Sequence, residues 1–383
     1  MEEPVMPDLH EGRRDTVLII TAMIMIKLAS LAFIHAVVGG SVLEQLSTKW
    51  DSVYYVGIAQ NGYPAGSVTA NYAFAPGYPS LIWLASLAVG NYLLSAAIVS
   101  NVFSVLAVLA FYRLSRMYFG PFGSLCASLA FGFFPTFVTY GLVSYSEPVY
   151  LFFAILAVYF FLNARYFYTG VTSSLAVLSG YASLLIAPIF LSIIILRLIL
   201  PRLKPLQPPP AGLHETESRA ERLSNYRFVW LFMPLVAFGL WMYFLDVRSG
   251  ELFSLFAAQA PWGTRIANPI AQFQAFFTGI FSTQGNPVQQ LLLRYPYTLS
   301  FFALVYPLWK IDKALSIYSS AFMLFVLSLV GTAYMSGPRL MLSAWPVLLV
   351  FGRAKKEYII PVLILFAAVS LQSTYAQLTS FWT

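Results

Sequence analysis

The stretch Ser47–Pro79, STKWDSVYYVGIAQNGYPAGSVTANYAFAPGYP, follows the first long apolar run, 17–38, VLIITAMIMIKLASLAFIHAVV. The run is long enough to cross a bilayer, which takes roughly 20 apolar residues. The stretch after it is polar, aromatic and rich in Gly and Pro, and holds one carboxylate, Asp51, beside Trp50. A greasy chain that spends some thirty residues this way so early places a structured loop outside the membrane.

Composition agrees. Of 383 residues 59% are hydrophobic and 10% charged, against about 25% charged in soluble domains. The sequence reads as an all-α polytopic membrane protein. Its single cysteine, Cys126, lies in an apolar run and behaves as a small buried hydrophobe. The first sixteen residues, MEEPVMPDLHEGRRDT, are of mixed charge, and no small-residue cleavage site follows the apolar run. A retained first helix is therefore expected.

Crossings are expected at 17–38, 92–112, 121–143, 148–164, 171–183, 185–200, 228–246, 295–309, 314–335, 339–352 and 358–378. The short segments 171–183 and 185–200 read equally as a tight pair or one tilted helix. Basic residues collect on cytoplasmic loops, and this decides between them. Eleven spans with the N-terminus inside put sixteen of the 22 basic residues on the cytoplasmic side. The net charge of +7 then reflects topology and does not call for nucleic acid. The chain is one integral membrane domain, 1–383. An external loop at 39–91 is followed by a transmembrane core at 92–200. A proline-rich cytoplasmic linker occupies 201–227. The last section, 228–383, carries a second external loop at 246–294. Both loops hold half-apolar aromatic segments suited to helices at the membrane interface.

External carboxylates are few. On a helix, Asp51 shares a face with Tyr54 and Tyr55. It could serve as a general base or merely cap the helix. Glu147, in LVSYSEPVYLFF, begins a helix before Pro148 or faces the same outer cavity. Lys27 lies mid-span, where charge is costly; it is a counter-charge for an anionic group, or it snorkels or pairs with an acid. Arg265 and Arg339 are scarce external cations, suited to phosphate or to lipid headgroups. The three histidines are scattered, so no metal cluster is expected. There is no phosphate-binding glycine loop and no nucleophilic triad. A base with phosphate-binding cations fits transfer from a lipid-linked phosphate donor. It also fits a transporter or flippase for an anionic lipid or solute.

WDSVYYVGIAQNGY at 50–63 followed by YAFAPGYPSLIWL at 72–84 resembles the first external loop of the PIG-V-type mannosyltransferases, the GPI mannosyltransferase 2 family. SYSEPVYLFFAIL (144–156), AAQAPWGTRIANP (257–269) and GPRLMLSAWPVLLV (337–350) resemble later elements of that family in the same order, over about residues 17–352. The resemblance implies a GT-C type glycosyltransferase with its active site on the non-cytoplasmic face. It implies a polyprenyl-phosphate sugar donor such as dolichyl phosphate mannose, a glycolipid acceptor, and inversion at the sugar. No further cofactor or divalent metal is implied, and an accessory membrane subunit is left open. Asp51 becomes the base. Trp50, Tyr54, Tyr55, Glu147, Gln259 and Trp262 become substrate-binding candidates, with Arg265, Arg339 and Lys27 set to neutralise phosphate. Two departures stand out. SGYASLLIAPIF (179–190) has no charge where many members carry an arginine, and WGTR replaces a tighter WGR pattern. The compact loops suggest a prokaryotic homologue, in the plasma membrane; a eukaryotic one would sit in the endoplasmic reticulum.

Overall fold

The computed structural model describes residues 9–199, 226–263, 265–280, 295–330 and 336–379. The linker expected at 201–227 lies almost wholly outside these residues, as does 281–294 of the second external loop. Apart from one short two-stranded pairing, the regular structure is helical.

The first half runs α1 (Leu9–Val37), α2 (Val42–Ser47), α3 (Asp51–Asn61), α4 (Gly77–Val89), α5 (Tyr92–Ser115), α6 (Pro121–Gly132), α7 (Pro135–Leu142), α8 (Glu147–Leu162), α9 (Tyr166–Ser179) and α10 (Ile186–Ile199). The second half runs α11 (Met233–Ser249), α12 (Ser254–Ala258), α13 (Pro269–Ile280), α14 (Tyr295–Trp309), α15 (Lys313–Ser328), α16 (Gly337–Leu340), a bent 3₁₀ stretch Met341–Arg353, and α17 (Lys356–Thr379). Strands β1 (Arg265–Ile266) and β2 (Leu329–Val330) pair antiparallel, Arg265 opposite Val330.

Local chemistry sets these boundaries. Asn91 caps α5 by accepting from Leu94 N–H at 3.0 Å, and Asp312 caps α15 by accepting from Leu315 N–H at 3.0 Å. Prolines occupy the first turns of α6, α7 and α8, where the missing N–H costs nothing. Pro135 also forces Phe134 into extended backbone (φ −57°, ψ 125°). The expected span 121–143 is therefore broken: α6 and α7 meet at 61°.

Each expected crossing overlaps helix among the described residues, but not over its whole length: the one at 314–335 leaves helix α15 at Ser328 and continues as strand β2. Helix α9 ends at Ser179 and α10 begins at Ile186, so 171–183 and 185–200 belong to two helices joined by a 3₁₀ turn, Tyr181–Leu185. Length is another matter. Among the described residues four helices are long and apolar enough to cross a membrane, Gly12–Val37, Tyr92–Ser115, Phe228–Ser249 and Lys356–Thr379; taking α6 and α7 as one broken span makes five.

Two cores organise the molecule. The larger is built on α5, α7, α8, α15 and the 3₁₀ stretch, around Phe111, Phe131, Tyr318 and the fully buried Trp345. The second belongs to the loop at 39–91. Tyr55, Tyr63, Tyr72, Phe74 and Tyr78 pack there against Leu245 of α11 and Leu255 and Ala258 of α12. Burying five aromatic rings is favourable only if the hydroxyls find partners. Tyr63 donates to Phe74 O at 2.8 Å, Tyr72 to Pro64 O at 2.5 Å and Tyr78 to Ala96 O at 2.8 Å. The loops at 39–91 and 246–294 thus share a core, and a cleft lies beside it.

Candidate active site

A cavity of about 600 Å³ opens between the two loops and the ends of α8, α9, α15 and α16. Its first wall comes from the Trp50–Asp51 turn. Trp50 has φ 54° and ψ −130°, a conformation that costs a non-glycine residue about 1–3 kcal/mol and persists only when its surroundings impose it. They do so here: Trp50 Nε1 donates to Gln377 O at 2.7 Å, and Lys49 Nζ to Leu378 O at 2.5 Å. The turn makes Asp51 the first residue of α3, with its N–H donating to the Tyr145 hydroxyl at 3.2 Å. Asp51 does not cap that helix. Trp50 occupies the cap position, and no side chain bonds there.

The Asp51 carboxylate instead meets Arg339. Arg339 Nη1 donates to Asp51 Oδ2 at 2.6 Å, and Arg339 Nε lies 3.3 Å from Glu147 Oε1. Both acids begin helices, α3 and α8, where helix dipoles favour negative charge. Two carboxylates therefore share one guanidinium, itself carried by the short helix α16. The guanidinium carbon sits 5.7 Å from the Tyr140 ring centre and 5.5 Å from that of Tyr145, within cation–π range. The three side chains are unequal in access: Asp51 is 23% exposed, Arg339 16% and Glu147 6%. Asp51 is the carboxylate an incoming molecule can reach.

Tyr55 lines the same cavity, and its hydroxyl shares a 2.8 Å hydrogen bond with Ser146. Burial, followed by the Glu147 and Asp51 carboxylates, pushes its pKa well above the ordinary tyrosine value. It stays a neutral phenol and is no competitor for the role of base. Also lining the cavity, Tyr54 stacks on Phe74 with ring centres 4.7 Å apart, and Trp262 meets both edge-on at 6.0 Å. Gln259 also lines this wall, with Nε2 donating to Ala73 O at 3.4 Å. A third side is apolar, formed by Val53, Phe325, Leu329 and Leu340.

The cavity thus brings together Trp50, Asp51, Tyr54, Tyr55, Glu147, Gln259, Trp262 and Arg339. Two expected members do not line it. Lys27 is buried in α1, donating to Asn101 Oδ1 at 2.7 Å and Gly141 O at 2.8 Å. These neutral partners tie α1 to α5 and α7, so its charge is neither paired with an acid nor turned to the cavity. Arg265 lies on β1 with its side chain exposed. Arg339 is the one cation among the described lining residues.

The sequence reading missed Tyr140, Tyr145, Tyr150, Gly180 and Tyr181. Gly180 and Tyr181 sit in the uncharged segment 179–190, and there the cavity wall is backbone and phenol. Gly180 packs so closely on Tyr150 that an added Cβ would lie 2.6 Å from the ring. Gly77, in the APGYP motif, likewise abuts Leu178 O, which brings the start of α4 against the end of α9. The motif's glycine is accounted for by packing. No group of three or more His, Cys, Asp or Glu with metal-holding geometry occurs among the described residues.

Comparison with known proteins follows the same line. Residues 14–193 match the family model described as Mannosyltransferase (PIG-V), the family that the WDSVYY loop resembles. No curated protein sequence matches the chain. Among solved structures the chain resembles the archaeal oligosaccharyltransferase AglB from Archaeoglobus fulgidus, solved with an inhibitory peptide and a dolichol-phosphate: 14% identity, TM-score 0.53, covering 94% of this chain and 55% of that one. It also resembles ArnT from Cupriavidus metallidurans, solved bound to undecaprenyl phosphate: 15% identity, TM-score 0.55, covering 91% of this chain and 62% of that one. At these identities the likeness is one of fold alone. The chain spans less than two thirds of either neighbour.

Proposed function

We propose that this chain, whose residues 14–193 match the PIG-V mannosyltransferase family, transfers mannose from a polyprenyl (dolichyl) phosphate donor to a lipid-linked glycan or glycolipid. The acceptor meets the donor on the non-cytoplasmic face of an eleven-span protein, and the sugar carbon inverts. The observation that carries this reading is the Asp51–Arg339–Glu147 cluster on the wall of a cavity that is otherwise aromatic and apolar. Both structural neighbours were solved with a polyprenyl phosphate, which supports a donor of that class.

The chemistry follows from the geometry. The acceptor hydroxyl oxygen attacks the anomeric carbon as the bond from that carbon to the phosphate oxygen breaks. The acceptor proton passes to the Asp51 carboxylate, whose Oδ2 is held by Arg339 and whose Oδ1 accepts no hydrogen bond among the described residues. The phosphate leaves with the bonding electrons and gains charge. Arg339, the cation nearest at hand, offsets that charge more in the leaving state than before it, as catalysis requires. Glu147 is too enclosed to meet the acceptor; it fixes the other edge of the guanidinium. The apolar side suits the donor's lipid chain and the aromatic wall its sugar.

The transporter reading drew on an intramembrane cation, and the neutral partners of Lys27 give it no support. Purified protein in detergent, incubated with radiolabelled dolichyl phosphate mannose and a lipid extract of its source, tests the proposal. Label is expected to move into a new glycolipid. Label that stays on the donor, for every polyprenyl-phosphate sugar tried, contradicts it.

A further inference from the structure

Gln377 stands on α17, does not line the cavity and is 1% exposed. A buried primary amide must place one acceptor and two donors. Its Oε1 accepts from the Tyr140 hydroxyl at 3.2 Å, and its Nε2 donates to the Tyr145 hydroxyl at 3.3 Å. Those two rings lie 5.1 Å apart, tilted at 52°, and both face the Arg339 guanidinium. The Tyr145 hydroxyl that Gln377 holds is the one that accepts the Asp51 N–H. The main-chain carbonyl of the same residue accepts from Trp50 Nε1. One residue thus reaches both tyrosines beside the cation and the strained turn that presents the carboxylate.

The rest of α17 shows how this placement is kept. Thr374 Oγ1 and Thr139 Oγ1 share a 3.1 Å hydrogen bond, which ties α17 to α7 one turn before Gln377 and sets the height at which its amide arrives. Packing alone would be met by Leu or Met at this position. A glutamine there carries polar groups whose burial is repaid only by bonds made to the frame of the site.

We infer that Gln377 is a positioning residue: its amide fixes Tyr140 and Tyr145, and through them sets Arg339 and Asp51 in register. The inference rests on the mannosyl-transfer reading, and the following experiment separates the two. Native protein, Gln377→Met and Gln377→Glu are compared in detergent for transfer from polyprenyl-phosphate mannose between about pH 5 and 8, with thermal unfolding as a check on folding. Met keeps the volume and loses the bonds. Its kcat is expected to fall roughly 10- to 100-fold, as sub-ångström misplacement does, with donor and acceptor KM changed far less. A protonated glutamic acid can still accept from Tyr140 and donate to Tyr145, whereas its ionised form only accepts. The activity of Gln377→Glu relative to native is therefore expected to exceed that of Gln377→Met and to grow as pH falls. Gln377→Met at the native rate overturns the inference, and so does Gln377→Glu as poor as Gln377→Met at every pH. A silent native protein contradicts the transfer reading instead. Positioning is then read from binding of polyprenyl phosphate alone: weakened by Gln377→Met and recovered by Gln377→Glu at low pH supports it, and affinity equal to native in both variants overturns it.

Discussion

Arg339 Nη1 lies 2.6 Å from Asp51 Oδ2, although 288 residues separate the two in the chain. The contact joins the loop at 39–91 to the short helix α16, near the far end of the described residues. Glu147 lies on another edge of the guanidinium, the Tyr140 and Tyr145 rings lie within 6 Å of it behind the cavity lining, and Tyr54, Phe74 and Trp262 supply the aromatic part of the lining.

Removing the cation leaves two carboxylates facing each other in a half-closed site. Breaking a buried ion pair from one side costs about 3–5 kcal/mol, and partial exposure here points to the lower end. Arg339→Gln is expected to lower the melting temperature in detergent, and adding Glu147→Gln to recover part of the loss. Equal melting of native and single variant, or no recovery in the double, contradicts the shared-cation account.

The wall at Gly180 has no spare room. A methyl group there meets the Tyr150 ring, whose hydroxyl is tied to Ser343 at 3.4 Å. Overpacking of this kind costs about 1–3 kcal/mol. Gly180→Ala is expected to melt earlier than native, and Gly180→Ala with Tyr150→Leu to melt later than Gly180→Ala alone. Thermal unfolding of the two decides it; a native-like single variant means the backbone shifts freely.

Lys27 is expected to matter for stability and not for transfer. Lys27→Met strands Asn101 Oδ1 and Gly141 O without their donor, at about 1–3 kcal/mol. Transfer per folded molecule should stay within about twofold of native, since catalytic losses of tenfold need more than 1 kcal/mol at the transition state. A larger loss in correctly folded protein would return Lys27 to the reaction.

The apolar runs were legible in the sequence because they are local, as was the helix start at Glu147–Pro148, where a proline acts on its own turn. The residues of the first loop were legible too, since Trp50, Asp51, Tyr54 and Tyr55 are contiguous and unusual for a membrane chain. What escaped was any relation that needs the chain to fold back. Whether Asp51 capped its helix or faced a cavity depended on where Arg339 came to rest. Lys27 looked like a catalytic charge because a sequence does not display the Asn101 amide and Gly141 carbonyl that satisfy it. Arg265 looked equivalent to Arg339, yet one lies exposed on a strand and the other between two acids. Gln377 left no signal of its own, because the segment around it, LQSTYAQLTS (371–380), is already polar. The length of the helices also resisted reading: hydropathy marks an apolar stretch but not the bend at Pro135.

The central claim is that Asp51 takes the acceptor's proton, and one comparison tests it most directly. Native protein and Asp51→Asn are assayed side by side for transfer of label from dolichyl phosphate mannose, with matched melting curves and gel-filtration profiles. The amide is the same size and can still accept from Arg339, so folding is expected to survive. Loss of a general base costs about 10²–10⁴-fold, so transfer by Asp51→Asn should fall by at least that lower figure. A folded Asp51→Asn that keeps more than about a tenth of native transfer contradicts the account.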